Sequence, residues 1–330
     1  MTLSPRGMSR RRLLAVMAAP ISAAGWSGVR ADVRADVRAA GAEPATAFHD
    51  LDWRDKARAR AVPVRLYMPA GALAGRGSVP LVLYSPGFGG DRSDAAWLGP
   101  VLAERGIACA HVQHVGSDRL AWMMGPVDWV LREWRGDFTR ERLARTLDLR
   151  FVLDRLLAGE WAPALDRRRI AAIGHSLGAQ TAALLGGARL SGGERLRDER
   201  IGSIALFGMA AFRGEDTAEV LRTIEVPSLH VTTEEDRTVM PGYAASANDR
   251  VAWCRGAGGA AKVMAVFARG PHAIFNDVDR TDPVGAAAGD LVQAFLESCW
   301  QPPWPSQRLA LWRGRHASLV TRFETLGAPG

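Results

Sequence analysis

The pentapeptide Gly174-His175-Ser176-Leu177-Gly178 places one hydroxyl between two glycines. It follows an apolar, β-branched run and precedes a segment rich in alanine and leucine. In a strand–turn–helix context this G-x-S-x-G spacing holds the serine in a strained turn and exposes its hydroxyl at the end of a sheet. The amide of Leu177, at the start of the helix, would face a developing oxyanion. The pattern predicts Ser176 as the nucleophile of an acyl-transfer reaction.

A nucleophilic serine needs a base, and the base needs a group that orients it. His272 follows the strand-like run "KVMAVFA", in a loop that can carry its imidazole over the carboxyl edge of a sheet. In this arrangement the orienting acid falls between Ser176 and His272 in the chain. The segment "VPSLHVTTEEDRTVMP" makes Asp236 the preferred acid, with Glu235 and Asp216 as alternatives.

The glycine-rich segment "LYSPGFGGDRSD" is expected to be the loop after the third strand. Its glycines allow the backbone to approach a substrate closely, so we expect the Phe88 and Leu177 amides to form an oxyanion hole. The segment of residues 116–137, with several tryptophans and methionines, is either a helical excursion or part of an acyl-binding wall. The residues expected to line the substrate pocket are Gly87, His114, Trp122, Met124, Phe212 and Ile274.

Strand-like and helix-like segments alternate beyond residue 46, in a chain of 330 residues that is 48% hydrophobic. Continuous apolar strands separated by helices predict an α/β fold with a mostly parallel sheet covered on both faces. The run "VPVRLYM" alternates more strictly, as an antiparallel edge strand would. With no internal repeat or linker, residues 46–330 are predicted to form a single domain.

The net charge of +7 is concentrated near the N-terminus, where residues 1–44 hold seven arginines and only three acidic residues. The remaining arginines are scattered among acids, with no basic stripe and no interleaved aromatics. This distribution argues against a nucleic-acid partner.

The segment "SRRRLLAVMAAPISAAG" places Arg10 and Arg11 before an apolar run that is too short to cross a bilayer. It resembles a twin-arginine signal peptide, followed by a repetitive spacer that ends near residue 45. We therefore expect a periplasmic or secreted protein whose mature form has no integral membrane segment.

Three cysteines are present, and their spacing suggests no metal site. Cys109 lies in an apolar strand-like run, where a buried and inert thiol is expected. Cys254 and Cys299 have the opportunity to pair in an oxidising compartment, although the sequence does not fix the distance between them.

The chain resembles the α/β-hydrolase superfamily, in particular the dienelactone hydrolase-like, platelet-activating-factor acetylhydrolase-like and bacterial cutinase (polyester hydrolase) group. The resemblance rests on "SPGFGG" at residues 85–90, "WLGP" at residues 97–100 and the opening "DWRDKARARAVPVRLYMPAG". It covers most of residues 48–300. It implies an α/β-hydrolase fold with a central sheet of about eight strands and helices on both faces.

The resemblance also has departures. Dienelactone hydrolases use a cysteine nucleophile, so Ser176 argues against that activity. Polyester hydrolases have a tryptophan after the sixth strand, where this chain reads "LFGMAAF". Acetylhydrolase-like members carry their aspartate at the end of that strand, where Phe207 and Gly208 stand here, which favours Asp236.

The sequence thus predicts a secreted serine ester hydrolase that acts through an acyl-enzyme on Ser176. The expected substrate is a small-molecule or lipid-like ester. No metal or organic cofactor is implied, and we expect a monomer. The alternatives are an amidase or peptidase with the same triad and a non-catalytic binding protein of the same fold.

Overall fold

Apolar segments of the chain pair side by side into one sheet. The structure, a computed structural model, describes residues 48–327 apart from 75–76, 125–136, 194, 239, 241, 260, 278–280, 302–303 and 305–306. The described residues contain nine strands. They are β1 (Phe48–Asp55), β2 (Arg60–Tyr67), β3 (Val79–Ser85), β4 (Ala108–Val112), β5 (Leu165–His175), β6 (Ser203–Phe207), β7 (Ser228–Thr233), β8 (Lys262–Phe267) and β9 (Val320–Leu326).

The strand order across the sheet is β1-β2-β4-β3-β5-β6-β7-β8-β9. Strands β3 to β8 run parallel to one another, while β1, β2 and β9 pair antiparallel with their neighbours. The prediction of a mostly parallel sheet is therefore confirmed. The "VPVRLYM" strand, β2, is antiparallel as predicted, but the prediction that it lies at the edge is wrong, because β1 pairs with its outer side.

Helices cover both faces of the sheet, as the continuous apolar strands require. The described helices are α1 (Leu98–Glu104), α2 (Arg119–Met123), α3 (Asp137–Ala158), α4 (Leu177–Leu185), α5 (Thr217–Arg222), α6 (Ala247–Gly256), α7 (Ile274–Asp277), α8 (Pro283–Trp300) and α9 (Gln307–Arg315). Helices α3, α4 and α5 contribute to the core on one face. Helices α1, α8 and α9 contribute to the core on the other.

The side chains of β8 belong to different hydrophobic clusters on the two faces of the sheet. Successive side chains of a strand point to opposite faces. Val263 and Ala265 accordingly join the core that includes α8 and α9. Met264 and Val266 pack instead with Cys254 of α6. One strand thus separates two hydrophobic clusters.

This separation decides the state of the cysteines. Cys254 lies in α6 with Met264 and Val266, whereas Cys299 lies in α8 and packs against the core on the opposite face. A disulfide requires Cα atoms within about 7 Å, and the sheet stands between these two residues. All three cysteines are free. Cys254 and Cys299 therefore do not form the disulfide that an oxidising compartment would allow.

The twin-arginine segment and spacer, residues 1–45, lie outside the described residues, and so does most of the tryptophan-rich stretch. The residues from Pro44 onward form one compact unit. Among the helices of the described part of the chain, none combines the length and the apolar character needed to cross a membrane.

Protein denatured without prior reduction should present three free thiols per chain, because the sheet keeps Cys254 and Cys299 apart. Thiol titration with a chromogenic disulfide measures the count, and the same protein after reduction is the control. In the native protein we expect slow reaction, since burial raises the pKa of Cys254 and of Cys299 to about 12. A count of one would contradict this placement of the helices.

Candidate active site

Ser176 occupies the junction between the last residue of β5 and the first residue of α4. Its backbone has φ 53° and ψ −115°, a left-handed conformation that is rare for a residue with a side chain. The Ser176 N–H donates a hydrogen bond of 2.9 Å to the carbonyl of Phe207, at the end of β6. This bond fixes the turn against the neighbouring strand.

The two glycines of the pentapeptide are required by close backbone contacts. A Cβ atom on Gly174 would collide with the carbonyl of Gly178, and a Cβ atom on Gly178 would collide with the carbonyl of Ser85. Strand β5, helix α4 and the end of β3 therefore approach one another closely. The G-x-S-x-G pattern is the local sequence that this crossing permits.

Three side chains from separate loops form a continuous hydrogen-bonded chain. The Ser176 hydroxyl lies 2.9 Å from Nε2 of His272, and Nδ1 of His272 lies 2.7 Å from Oδ1 of Asp236. Because an ionised carboxylate only accepts, Nδ1–H donates to Asp236 and Nε2 is left to accept the Ser176 proton. The His272 side chain is 25% exposed, Asp236 is fully buried and Ser176 is half-buried, so this series of hydrogen bonds runs from the interior toward the surface.

The Asp236 carboxylate is held in its charged form by several partners. Burial by itself would raise the pKa of Asp236, but the hydrogen bond from His272, the charge of Arg250 and the Thr232 hydroxyl together lower it. Thr232 donates to Oδ2 at 2.9 Å, and Nη2 of Arg250 lies 3.1 Å from Oδ1. Arg250 is itself buried and donates to the carbonyls of Asp236 and Met209.

The two alternative acids are engaged elsewhere. Glu235 accepts a hydrogen bond of 3.0 Å from the Gly270 N–H, which fixes the loop that carries His272. Asp216 is the N-cap of α5 and accepts from the amides of Ala218 and Glu219. Of the three candidates, the structure brings Asp236 to His272.

His175 was not among the predicted site residues. Its Nε2–H donates to the carbonyl of His272 at 2.9 Å, and the two rings lie 4.9 Å apart. Burial, together with the neighbouring His272, lowers the pKa of His175 to about 4. At neutral pH it is therefore an uncharged donor that positions the backbone of the His272 loop. Its place beside Ser176 in the sequence was the available signal.

The loop after β3 lies beside Ser176. A Cβ atom on Gly87 would sit 3.4 Å from the Ser176 Cβ, and Gly89 N–H donates to the carbonyl of Ser117 at 2.8 Å. Phe88 lies between these two glycines. Leu177 is the first residue of α4, and the first amides of a helix have no acceptor within the helix itself. Both predicted oxyanion donors thus belong to backbone beside the hydroxyl.

The side chains of the two predicted oxyanion residues contact a small apolar cluster. Leu177, Ala210 and Tyr243 form its buried part, and Phe88 and Met240 pack against them. Met240 and Tyr243 belong to the turn after Asp236 and were not predicted. Sequence periodicity cannot assign loop residues to a site, which explains why these two were missed.

Comparison of the chain with protein-family models gives no match, and comparison with curated proteins gives none. Any assignment of function must therefore rest on the chemistry of the side chains assembled here.

The remaining predicted pocket residues have different environments. Ile274 opens α7, two residues after His272, and is partly buried. Met124, which directly follows α2, is 59% exposed. The Trp122 side chain lies outside the described part of the structure. A cavity of about 500 Å³ lies elsewhere, between α9 and β9, and none of the site residues lines it.

Two predicted pocket residues require correction. His114 is fully buried, with Nε2 3.0 Å from the Ser85 hydroxyl and Nδ1 3.0 Å from Asp148. Phe212 is only 1% exposed and belongs to the core on the face of α3 and α4. Both side chains are surrounded by other protein atoms, so neither lines an open pocket.

His114, Ser85 and Asp148 form a second Ser–His–Asp hydrogen-bonded chain. Unlike His272, its imidazole has no exposed surface. Burial and the nearby charge of Arg145 lower the pKa of His114 to about 3, against the opposing effect of Asp148. A substrate cannot reach the buried Ser85 hydroxyl. We therefore assign the hydrogen-bonded residues Ser85, His114 and Asp148 a structural role. In the described residues no group of His, Cys, Asp and Glu side chains is arranged to hold a metal ion.

Replacing Gly208 with alanine should reduce activity by about 10²-fold, the effect expected when catalytic groups move by about 1 Å. Gly208 has φ +50°, and a Cβ atom there would lie 2.8 Å from Oδ2 of Asp236 and 3.3 Å from the His272 ring. The measurement is the turnover of a p-nitrophenyl ester, the class of substrate that the sequence predicts, normalised to folded protein.

Gly202→Ala is the matched control. Gly202 directly precedes β6, the strand that Gly208 directly follows, and a Cβ atom on Gly202 would meet nothing closer than 3.7 Å. Wild-type turnover in the Gly208 variant would contradict the tight packing around Asp236.

Proposed function

We propose that this protein is a serine hydrolase that cleaves carboxylic esters. The observation that carries the proposal is the half-buried Ser176, held in a turn with positive φ, whose hydroxyl is hydrogen bonded through His272 to buried Asp236. A general base in contact with a serine, itself oriented by a carboxylate, is the arrangement that activates a hydroxyl for attack on an acyl carbonyl.

In the proposed acylation step, the Ser176 oxygen bonds to the ester carbonyl carbon while its proton moves to Nε2 of His272. The carbonyl electrons move to oxygen, and the amides of Phe88 and Leu177 stabilise the resulting oxyanion. Collapse of this intermediate breaks the bond to the alcohol oxygen, which leaves with the proton from Nε2. Asp236 stabilises the transient imidazolium, aided by the buried, charged state of its carboxylate.

In deacylation, His272 removes a proton from a water molecule whose oxygen attacks the Ser176 acyl ester. A second tetrahedral intermediate forms at the same amides and collapses to release the carboxylic acid. The proton returns to the Ser176 oxygen from Nε2. The enzyme regains its starting state without a net change in charge.

We also propose that the sheet is that of an α/β-hydrolase. Support comes from the serine at a strand-to-helix turn, the order Ser176, Asp236, His272 along the chain, and a glycine-rich loop after the third strand. All of these groups follow carboxyl ends of parallel strands, which is where ligands bind in open α/β sheets.

The apolar cluster of Phe88, Leu177, Ala210, Met240 and Tyr243 supports an apolar acyl group. Its two half-buried members, Phe88 and Met240, leave apolar surface beside the predicted oxyanion amides, and we propose that the acyl group contacts this surface. For the whole protein we propose action outside the cytoplasm, on the basis of the twin-arginine segment.

Ser176→Ala should lower turnover of p-nitrophenyl esters by about 10⁶-fold, the loss seen when the nucleophile of another serine hydrolase is removed. The measurement is a panel of esters of increasing acyl length, run with the wild type and the variant. A fluorophosphonate should label the wild type at Ser176 and leave the variant unlabelled. Labelling that persists in the variant would place the nucleophile elsewhere.

The same panel separates the alternatives. A p-nitroanilide with the same acyl group tests the amidase or peptidase, which would cleave the anilide, whereas an enzyme restricted to esters would leave it intact. A binding protein would turn over neither compound and would not react with the fluorophosphonate.

Asp236→Asn should reduce kcat by about 10³–10⁴-fold, because an amide in place of the carboxylate favours the wrong tautomer of His272. Asp216→Asn is the matched control. Asparagine is as good an N-cap as aspartate, so this variant should retain wild-type kcat. Steady-state kinetics on one ester measures both. A severe defect in the Asp216 variant with a mild one in the Asp236 variant would reverse the assignment.

A further inference from the structure

Arg145, in the middle of α3, is a fully buried arginine beneath the loop that follows β3. Its guanidinium donates to the carbonyl of Pro86 and to three hydroxyls: Ser85 at 3.2 Å, Ser117 at 2.8 Å and Thr181 at 3.2 Å. Burial lowers its pKa to about 10, with Glu141 and Asp148 opposing that effect. The group therefore remains charged at neutral pH.

These bonds act on both ends of the short segment that contains Phe88. At one end Arg145 holds the Pro86 carbonyl directly. At the other end, Arg145 holds the Ser117 side chain, and the Ser117 carbonyl accepts the Gly89 N–H at 2.8 Å. The peptide between Gly87 and Phe88 lies between these two fixed points. Its N–H direction is thereby restricted.

The buried Ser–His–Asp chain fixes the guanidinium in turn. Asp148 accepts from Nδ1–H of His114, so Nε2 accepts the Ser85 proton and the Ser85 oxygen is free to accept from Arg145. Each group in the series thus donates to the next: Arg145 to Ser85, Ser85 to His114, and His114 to Asp148. A second carboxylate, Glu141, accepts from the Ser117 hydroxyl at 2.8 Å.

We propose that Arg145 is a positioning residue for the oxyanion hole. It does not contact the substrate. It orients the Phe88 amide toward the site of the developing negative charge by holding the backbone on either side. This inference rests on the proposed function. It gives a role to the buried hydrogen bonds among Arg145, Ser85, His114 and Asp148, which take no direct part in the proposed reaction.

The test replaces Arg145 with methionine, which has a similar length and no donors. We expect kcat to fall about 10- to 10²-fold, less than the ~10²–10³-fold cost of losing an oxyanion donor entirely. KM for the ester should change little. The affinity for a trifluoromethyl ketone, which adds to Ser176 as an oxyanion, should fall in parallel with kcat/KM.

Arg150→Met is the matched control, because Arg150 lies on the same helix and also donates to a backbone carbonyl, that of Arg197, at 2.7 Å. It should leave kcat and ketone affinity unchanged. All rates are normalised to the number of sites labelled by fluorophosphonate, which removes any effect of partial unfolding. Arg145→Lys and Ser117→Ala provide the same readouts if the methionine variant does not fold, and both should show intermediate losses.

The outcomes separate the two proposals. If the wild type neither hydrolyses esters nor is labelled at Ser176, the proposed function is wrong. If the wild type is active and the folded Arg145 variants retain wild-type kcat and ketone affinity, the positioning role is wrong. Equal losses in Arg150→Met would also overturn it, since they would reflect general destabilisation.

Discussion

The left-handed backbone of Ser176 is the constraint on which the rest of the site depends. A residue with a side chain in this region costs roughly 1–3 kcal/mol, so it persists only where surrounding structure determines it. Here the determinants are the Phe207 carbonyl, which accepts the Ser176 N–H, and the close crossing of Gly174, Gly178 and the end of β3. The turn directs the hydroxyl away from the sheet and toward His272. Without that strained geometry, the Ser176 hydroxyl would not lie within hydrogen-bond distance of the His272 imidazole.

Two buried arginines support the loops on either side of this turn. Arg250 contacts Asp236 and the backbone around it, whereas Arg145 contacts the loop after β3. Burying a guanidinium is costly unless its donors are satisfied and its charge is balanced. Both satisfy this condition by donating to backbone carbonyls and hydroxyls close to carboxylates. Loops that are polar in composition therefore acquire the rigidity that a preorganised site requires.

The described residues contain two Ser–His–Asp hydrogen-bonded triplets of similar geometry, and their surroundings distinguish them. The ring of His272 is accessible from outside, while that of His114 is enclosed. Burial makes charging the His114 imidazole unfavourable, so it cannot take a proton in the way a general base must. The same three residue types thus form a candidate reaction centre in one place and a buried structural hydrogen-bond network in the other.

The sequence by itself determined the residue types and their order. Local patterning predicted the mostly parallel sheet with helices on both faces, because alternation of apolar strands and helices is encoded over short stretches. The spacing around Ser176 and the loop of His272 identified two members of the site. It favoured Asp236 as the acid and kept Glu235 and Asp216 as alternatives, since nothing local says which carboxylate a distant imidazole meets.

Only the tertiary structure decided which groups meet and which are enclosed. It placed Cys254 and Cys299 on opposite faces of the sheet and His114 in the interior. Strands β1 and β9 lie at the two edges of the sheet. Arg145 lies beneath a loop that is about sixty positions earlier in the chain. The physical reason is that burial and proximity depend on strand order and on contacts between distant segments, which short-range periodicity does not encode.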